Sequence, residues 1–276
     1  MISFDFDYYK PSSLDEAVET FNRAHKLGKK VMYYSGGTEI ITFARVNTIS
    51  ADAVIDIKGI PECNVLELQG DKLIIGAAVS LNKITESNLF PLLGQTVKQI
   101  ADHTSRNKIT IGGNMNSQFI YREGMLPFLV TDAKVMLAVK NEVEMHPLED
   151  LFNKKMDKMT FLVQIHVDTS YLDLPFINLK RTRMSKVGYP VVSVAALVKD
   201  NHIRVAFSGV CEHPFRSTVV EGVLNDTSLT ELDRVDKAVA KLPATIVQDI
   251  YASAKYREYV LKNVLTDTLE VLEAKK

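Results

Sequence analysis

The sequence predicts an α+β fold, and three observations carry that expectation. A strand, a glycine loop, a helix and a second strand follow one another between Val31 and Ile57, the order of an α/β unit. From about Phe161, strand-like apolar runs succeed one another with little helix between them, which fits antiparallel pairing in a separate α+β domain. Two helical stretches then finish the chain.

In chain order, Ser13-Leu14-Asp15-Glu16 has the spacing of a capping box. Leu14, Ala17, Val18, Phe21 and Ala24 recur at helical spacing until Gly28 stops the run. Val31 to Tyr34 reads as a strand leading into Ser35-Gly36-Gly37-Thr38-Glu39. Glu39 to Ala44 reads as a helix and Ala53 to Ile57 as the next strand. Leu73 to Ile75 is a strand, Leu81 to Ile84 starts a helix, and Pro91 opens another that runs to about His103. Thr110-Ile111-Gly112-Gly113-Asn114 forms a second glycine loop, followed by a helix from Leu126 to Val130 and a strand from Val135 to Val139. The later strands are Phe161 to Val167, Phe176 to Lys180, Val191 to Val198 and Ile203 to Val210, with Asp200-Asn201 as a hairpin turn. Helices are expected near Glu231 to Leu242 and from about Ala252 to Leu272.

With 276 residues the chain can bury one large or two modest cores. A net charge of −1 and the lack of a basic stripe argue against a nucleic-acid partner. Cys63 and Cys211 cannot supply the thiolates of a cluster or a structural zinc site, and read as two buried thiols rather than a disulfide. No metal site is expected. The N-terminal residues lack the features of a signal peptide and no apolar stretch is long enough to span a membrane, so the expectation is a cytoplasmic protein without a membrane span.

The two glycine pairs are the main functional candidates. A Gly-Gly pair serves either as a tight turn or as an anion cradle, in which unshielded backbone N–H groups converge on one ligand. Two pairs flanked by hydroxyl and amide side chains point to a ligand with a diphosphate, and so to a nucleotide cofactor. Gly-x-Gly-x-x-Gly is absent and no Gly-Lys-Ser/Thr follows, so neither a Rossmann unit nor a P-loop is favoured. The histidines, His103 and His166 among them, show no ligand spacing. The Tyr8-Tyr9 and Tyr33-Tyr34 pairs read as strand packing, with stacking on an aromatic ligand as the other reading.

Taken together, these residues resemble the FAD-binding (medium) subunits of the molybdenum hydroxylases: the flavin subunits of xanthine, carbon monoxide and nicotinate dehydrogenases. Gly36-Gly37-Thr38-Glu39 is similar to that family's first flavin loop, and Arg106-Asn107 with Thr110-Ile111-Gly112-Gly113-Asn114 to its second. Leu126-Pro127, Thr131-Asp132-Ala133 and Pro147-Leu148-Glu149-Asp150-Leu151-Phe152 resemble the segments that follow. In the C-terminal part the resemblance runs through Lys180, Arg183, Val192 to Ala196, Gly209-Val210, Pro214, Arg216, Glu221 and Ala252-Ser253-Ala254-Lys255-Tyr256-Arg257. The sequence departs from the family at Phe119-Ile120-Tyr121-Arg122-Glu123, where Ser-Pro-x-x-Asp is usual, and around Gly188-Tyr189-Pro190, where an Asp is usual.

The resemblance implies a two-lobed α/β FAD-binding domain of the PCMH type, with lobes at 1–58 and 59–170, followed by a C-terminal α+β flavoprotein domain at 171–276. It implies FAD as the cofactor. Tyr33, Tyr34, Ser35, Gly36, Gly37, Thr38, Glu39 and Ile40 would wrap its diphosphate, and Thr110, Gly112, Gly113 and Asn114 would approach from the other lobe. Glu123 would meet the ribityl hydroxyls and Leu162 would pack on the ring. Lys180 would tune the flavin from beside the isoalloxazine carbonyls. The implied role is oxidoreductase electron transfer. Electrons would arrive from the [2Fe–2S] clusters of a small partner subunit, after substrate oxidation in a molybdopterin-binding large subunit, and leave from FADH2 to NAD+ or another acceptor. The alternative is a stand-alone FAD-dependent oxidoreductase of the same two-lobe fold.

Overall fold

The computed structural model describes residues 2–140, 142–153, 157–185 and 187–276; the side chains of Phe152 and Asn153 lie outside that description. The chain divides into two compact units. One comprises residues 1–84, 103–116 and 132–168, and the other 85–102, 117–131 and 169–276.

The first unit holds two sheets. β1 (Asp7–Tyr9), β2 (Val31–Tyr34) and β3 (Ala53–Asp56) form a parallel sheet in the order β1-β3-β2. Its first crossover is α1 (Leu14–Lys26), capped by Ser13, whose hydroxyl accepts from the Glu16 N–H. The Glu16 carboxylate turns outward to the Ser12 N–H and hydroxyl, so the expected box closes one residue early. The second crossover is α2 (Thr38–Arg45).

Next comes an antiparallel sheet of β4 (Leu66–Gln69), β5 (Lys72–Gly76), β6 (Lys134–Val139), β7 (Glu142–Pro147) and β8 (Phe161–Asp168), in the order β4-β5-β8-β6-β7. The Phe161 run, which the sequence groups with the strands after it, thus sits at the centre of this sheet, between β5 and β6. One core joins the two sheets: Ala17, Val18 and Phe21 of α1 and Ile55 of β3 pack with Ala77, just past β5, Ala138 of β6, and Phe161 and Val163 of β8. After β5 the chain leaves this unit through α3 (Leu81–Ser87). Short helices α5 (His103–Arg106), α6 (Ile111–Met115) and α8 (Asp150–Asn153) complete the unit.

In the second unit, β9 (Phe176–Thr182), β10 (Pro190–Lys199), β11 (His202–Ser208) and β12 (Phe215–Arg216) pair antiparallel in the order β12-β11-β10-β9. Asp200 and Asn201 both adopt positive φ and close the expected β10–β11 hairpin. α4 (Pro91–Lys98) and α7 (Leu126–Val130) join this unit from the interior of the sequence. The helix expected from Pro91 to His103 stops at Lys98, and Ala101 then takes φ +49°, which no α-helix continues. α9 (Thr218–Leu224), α10 (Glu231–Val239) and α11 (Ala254–Glu273) finish the chain. β10 contacts both α11 and α7, so both its faces are covered and its sequence runs apolar without alternation.

A buried cation ties α11 to this sheet. Arg257 is 0% exposed; its guanidinium donates to the carbonyls of Val191 (2.6 Å) and Gly209 (2.7 Å) and to Asp249 Oδ1 (2.6 Å). Cys63 and Cys211 are both buried free thiols, as expected. Among the described residues, no helix is long and apolar enough to cross a membrane. Replacing Arg257 by Leu removes the donor to the Val191 and Gly209 carbonyls and the cation beside Asp249, and is expected to lower the unfolding free energy by about 3–5 kcal/mol in urea denaturation. A loss below about 1 kcal/mol would show that the network contributes little beyond packing.

Candidate functional site

The first glycine loop joins β2 to α2 at the carboxyl end of the parallel sheet, where such sheets open toward ligands. Gly37 is the N-cap of α2, at φ +72°, and no side chain caps the helix. By contrast α1, α6, α9, α10 and α11 are all capped by a Ser or Thr hydroxyl. Gly37 has no side chain to cap the first turn, so the positive end of the α2 dipole is left without a side-chain cap. A Cβ on Gly37 would lie 2.2–2.4 Å from the Tyr34 ring. Beside it, the Ser35 hydroxyl is buried with no hydrogen-bond partner.

The second glycine segment is built differently. Thr110 is the N-cap of α6 and its hydroxyl accepts from the Gly113 N–H at 3.2 Å. The N–H groups of Ile111, Gly112 and Asn114 donate to the carbonyls of Val79, Ala77 and Thr110, each at 2.9 Å. The expected loop is therefore a short helix whose donors are used within the chain. Its glycine requirement is steric: a Cβ on Gly112 would meet Ala77 Cβ at 2.7 Å and the Ala77 carbonyl oxygen at 2.8 Å. Gly113 is looser, its nearest contact being the Thr110 hydroxyl at 3.0 Å.

The two segments touch through backbone. A Cβ on Gly36 would fall 2.0 Å from the Lys108 carbonyl oxygen and 3.2 Å from the Thr110 nitrogen. Asn82 braces the far side of this contact. Its amide donates to Asn107 Oδ1 and to the His103 carbonyl, both at 2.8 Å, and its Oδ1 accepts from Arg106 Nε at 3.1 Å. Arg106 and Asn107, legible only as neighbours of the glycine motif, thus fix the turn on which Gly36 rests.

A polar cluster below the first loop was missed in the sequence. The Lys58 ammonium donates to the Ser35 carbonyl (2.6 Å) and to Asp56 Oδ1 (2.8 Å), and lies 4.6 Å from the centroid of the Tyr34 ring. Asp56 is 2% exposed and also accepts from the Tyr8 hydroxyl, which raises the Tyr8 pKa to about 12. An Asp-x-Lys at the end of a strand carries no signal of its own in sequence. Tyr33 and Leu162 belong to the core of this unit: Tyr33 stacks on Phe21 at 5.0 Å and donates to the Met159 carbonyl, and Leu162 packs against the same cluster.

Glu123 and Lys180 lie in the second unit and meet there. Lys180 Nζ is 3.1 Å from Glu123 Oε2 and donates to the Gln99 carbonyl at 2.9 Å; the two side chains are 3% and 6% exposed. Strand register sets Lys180 opposite Ser193 on β10, and Ser193 also faces Glu123. Burial pushes the Glu123 carboxyl up, while Lys180 and Ser193 pull the other way. Arg122, just before it, is held at φ +24°, a strained backbone of the kind that clusters at functional positions.

The two stretches that depart from the family pattern come together in this unit. Tyr189 stacks on Tyr121 (4.7 Å, 20°) and contacts Phe119 (5.1 Å), and Tyr251 meets both tyrosines edge-on. Each departure thus supplies the other's packing partner. Among the described residues no cluster of His, Cys, Asp and Glu could hold a metal ion. His166 pairs with Gln164 at 2.9 Å, in keeping with a structural histidine.

Comparison with known proteins fits this geometry. Residues 4–168 match the family described as the FAD binding domain in molybdopterin dehydrogenase. The chain is 32% identical to the carbon monoxide dehydrogenase medium chain of Hydrogenophaga pseudoflava over 119 residues, 42% of this chain and 40% of that one. It is 24% identical to the glyceraldehyde dehydrogenase medium chain of Sulfolobus acidocaldarius over 278 residues, covering 95% of this chain and 96% of the relative. Among solved structures, carbon monoxide dehydrogenase from Hydrogenophaga pseudoflava shares the fold, with a TM-score of 0.89 over 99% of both chains at 22% identity. The chain belongs to the FAD-binding domain family of the molybdopterin dehydrogenases, the flavoprotein subunits of molybdenum hydroxylases, with FAD as its cofactor.

Proposed function

We propose that this chain is the electron-transfer subunit of a molybdenum hydroxylase complex, holding FAD by its diphosphate at the start of α2. The observation that carries the reading is that uncapped helix start, the site of a glycine at positive φ and of a buried hydroxyl without a partner. These features fit a diphosphate: a helix start with no capping side chain, a favourable dipole, and no Cβ to hold an anion away from the backbone.

In this reading Tyr33, Tyr34, Ser35, Gly36, Gly37, Thr38, Glu39 and Ile40 form the diphosphate loop. Thr110, Gly112, Gly113 and Asn114 flank it. Because the N–H groups of residues 111–114 already have acceptors, that segment offers close-packed surface and side chains rather than free donors. Glu123, Leu162 and Lys180 are assigned to the ribityl, ring and carbonyl-edge contacts, as the family resemblance implies. The lobes are taken as 1–58 and 59–170, and the C-terminal domain as 171–276. When bound, FAD supplies the redox chemistry, accepting electrons from the [2Fe–2S] clusters of a small partner subunit and delivering them to NAD+ or another acceptor. A molybdopterin-binding large subunit would oxidise the substrate. Two relatives named as medium chains support a place in such an assembly.

The chain's own contribution is to bind and to set charge. Lys180 places a desolvated cation whose partner, Glu123, partly neutralises it. A cation beside the reduced flavin stabilises its anionic form and raises its potential.

Purified chain is expected to bind FAD, read as flavin fluorescence quenching and a rise in melting temperature. Gly37→Val, strained at positive φ and blocked by the Tyr34 ring, should weaken that binding at least about tenfold. A chain that binds no FAD overturns the reading. For variants that still bind, Lys180→Met should lower the flavin midpoint potential in a spectroelectrochemical titration; an unchanged potential removes Lys180 from the tuning role.

A further inference from the structure

Lys58 carries no role in the flavin motif, yet its side chain reaches the backbone of the first glycine loop. Its ammonium donates to the Ser35 carbonyl at 2.6 Å and lies over the ring of Tyr34, the ring against which Gly37 packs. We propose that Lys58 is the positioning residue that orients the Ser35–Gly36 peptide toward the FAD diphosphate. The inference rests on the cofactor reading of that loop and concerns a residue which that reading does not use.

In a trans peptide the C=O of one residue and the N–H of the next point in opposite directions. Pinning the Ser35 oxygen to Lys58 therefore fixes where the Gly36 N–H points. The restraint matters at this peptide because its rotation turns on ψ of Ser35 and φ of Gly36. Gly36, without a Cβ, leaves φ freer to rotate and turn the N–H away.

The arrangement separates direction from charge. Asp56, 2% exposed, takes a second hydrogen bond from the same ammonium at 2.8 Å and accepts the Tyr8 hydroxyl on its other oxygen. Asp56 also accepts the Lys58 backbone N–H at 3.0 Å, which sets the turn from which the side chain rises. The Lys58 charge is thus matched within the chain. What it gives the loop is one oriented peptide dipole, held by a charge-assisted hydrogen bond.

The test uses the full chain, with FAD affinity measured by fluorescence quenching and ADP and adenosine measured by competition. Lys58→Met should weaken FAD and ADP by a common factor, about tenfold to a hundredfold, leave adenosine unchanged, and shift the 31P resonances of the FAD that still binds. Lys58→Arg, which can donate to the same carbonyl, should recover most of the affinity. Lys58→Met leaves Asp56 buried without its cation, so the same comparison is made in an Asp56→Asn background, where the loss should persist. Equal FAD affinity and unchanged 31P resonances in Lys58→Met overturn the inference alone. So does an equal loss for adenosine, which would indicate general damage to the lobe. Wild-type chain that binds no FAD overturns the cofactor reading and this inference with it.

Discussion

The first unit is organised around one backbone contact. Gly36 lies against the Lys108 carbonyl and the Thr110 nitrogen with no space for even a methyl group. That contact sets the height of the first loop over the second segment, and each side is then separately stiffened. On one side Lys58 and Tyr34 hold the Ser35–Gly37 turn. On the other, Asn82, Arg106 and the antiparallel bridge between Ser80 and Thr110 hold the 103–110 turn. Close packing of two chain segments, rather than the flexibility usually credited to glycine, is the constraint from which the candidate site follows.

In the second unit buried cations are paired rather than avoided, although Arg257 Nε has no hydrogen-bond partner. Arg257 spends its donors on two carbonyls and a carboxylate. Arg216 forms a bidentate pair with Glu221, whose Oε1 also accepts the Val205 N–H. Lys180 is shared between Glu123 and the Gln99 carbonyl. Such groups cost stability unless their geometry is complete, so they lock the strands and helices they join into one arrangement. Of the three, Lys180 is the one whose partner is itself pushed toward neutrality by burial, and it is the one assigned to the cofactor.

Much of this was legible in sequence where burial was one-sided or complete. α1, β6, β10 and α7 follow from apolar spacing because each buries a continuous face or both faces, and β2 follows from its apolar run although its four residues are half-buried. The strands that were not read are β1, β4, β7 and β12, all at sheet edges. β4 (Leu-Glu-Leu-Gln) and β7 (Glu-Val-Glu-Met-His-Pro) do alternate, but they are short and largely exposed, so neither presents an apolar run that stands out. Sheet membership was equally hidden: nothing local in Phe161–Asp168 tells that it pairs back to β5 and β6 rather than forward to β9. For the site, the glycine pairs stood out because two residues without Cβ are conspicuous. The chemistry around them was not, since Lys58, Asp56, Asn82 and Ala77 matter only through contacts made by distant segments. The same holds for Phe119, Tyr121 and Tyr189, which in sequence were only departures from a pattern.

The central position of β8 has a consequence for how the chain is made. A ribosome releases the segments containing β4–β5 and β6–β7 before the strand that separates them. Until residue 168 has emerged, the facing edges of β5 and β6 expose unpaired N–H and C=O groups that can recruit a neighbouring chain. Synthesis of residues 134–168 is therefore an interval in which these two edges lie open, and the closing strand, apolar at Phe161, Val163, Ile165 and Val167, ends it by filling the gap from both sides.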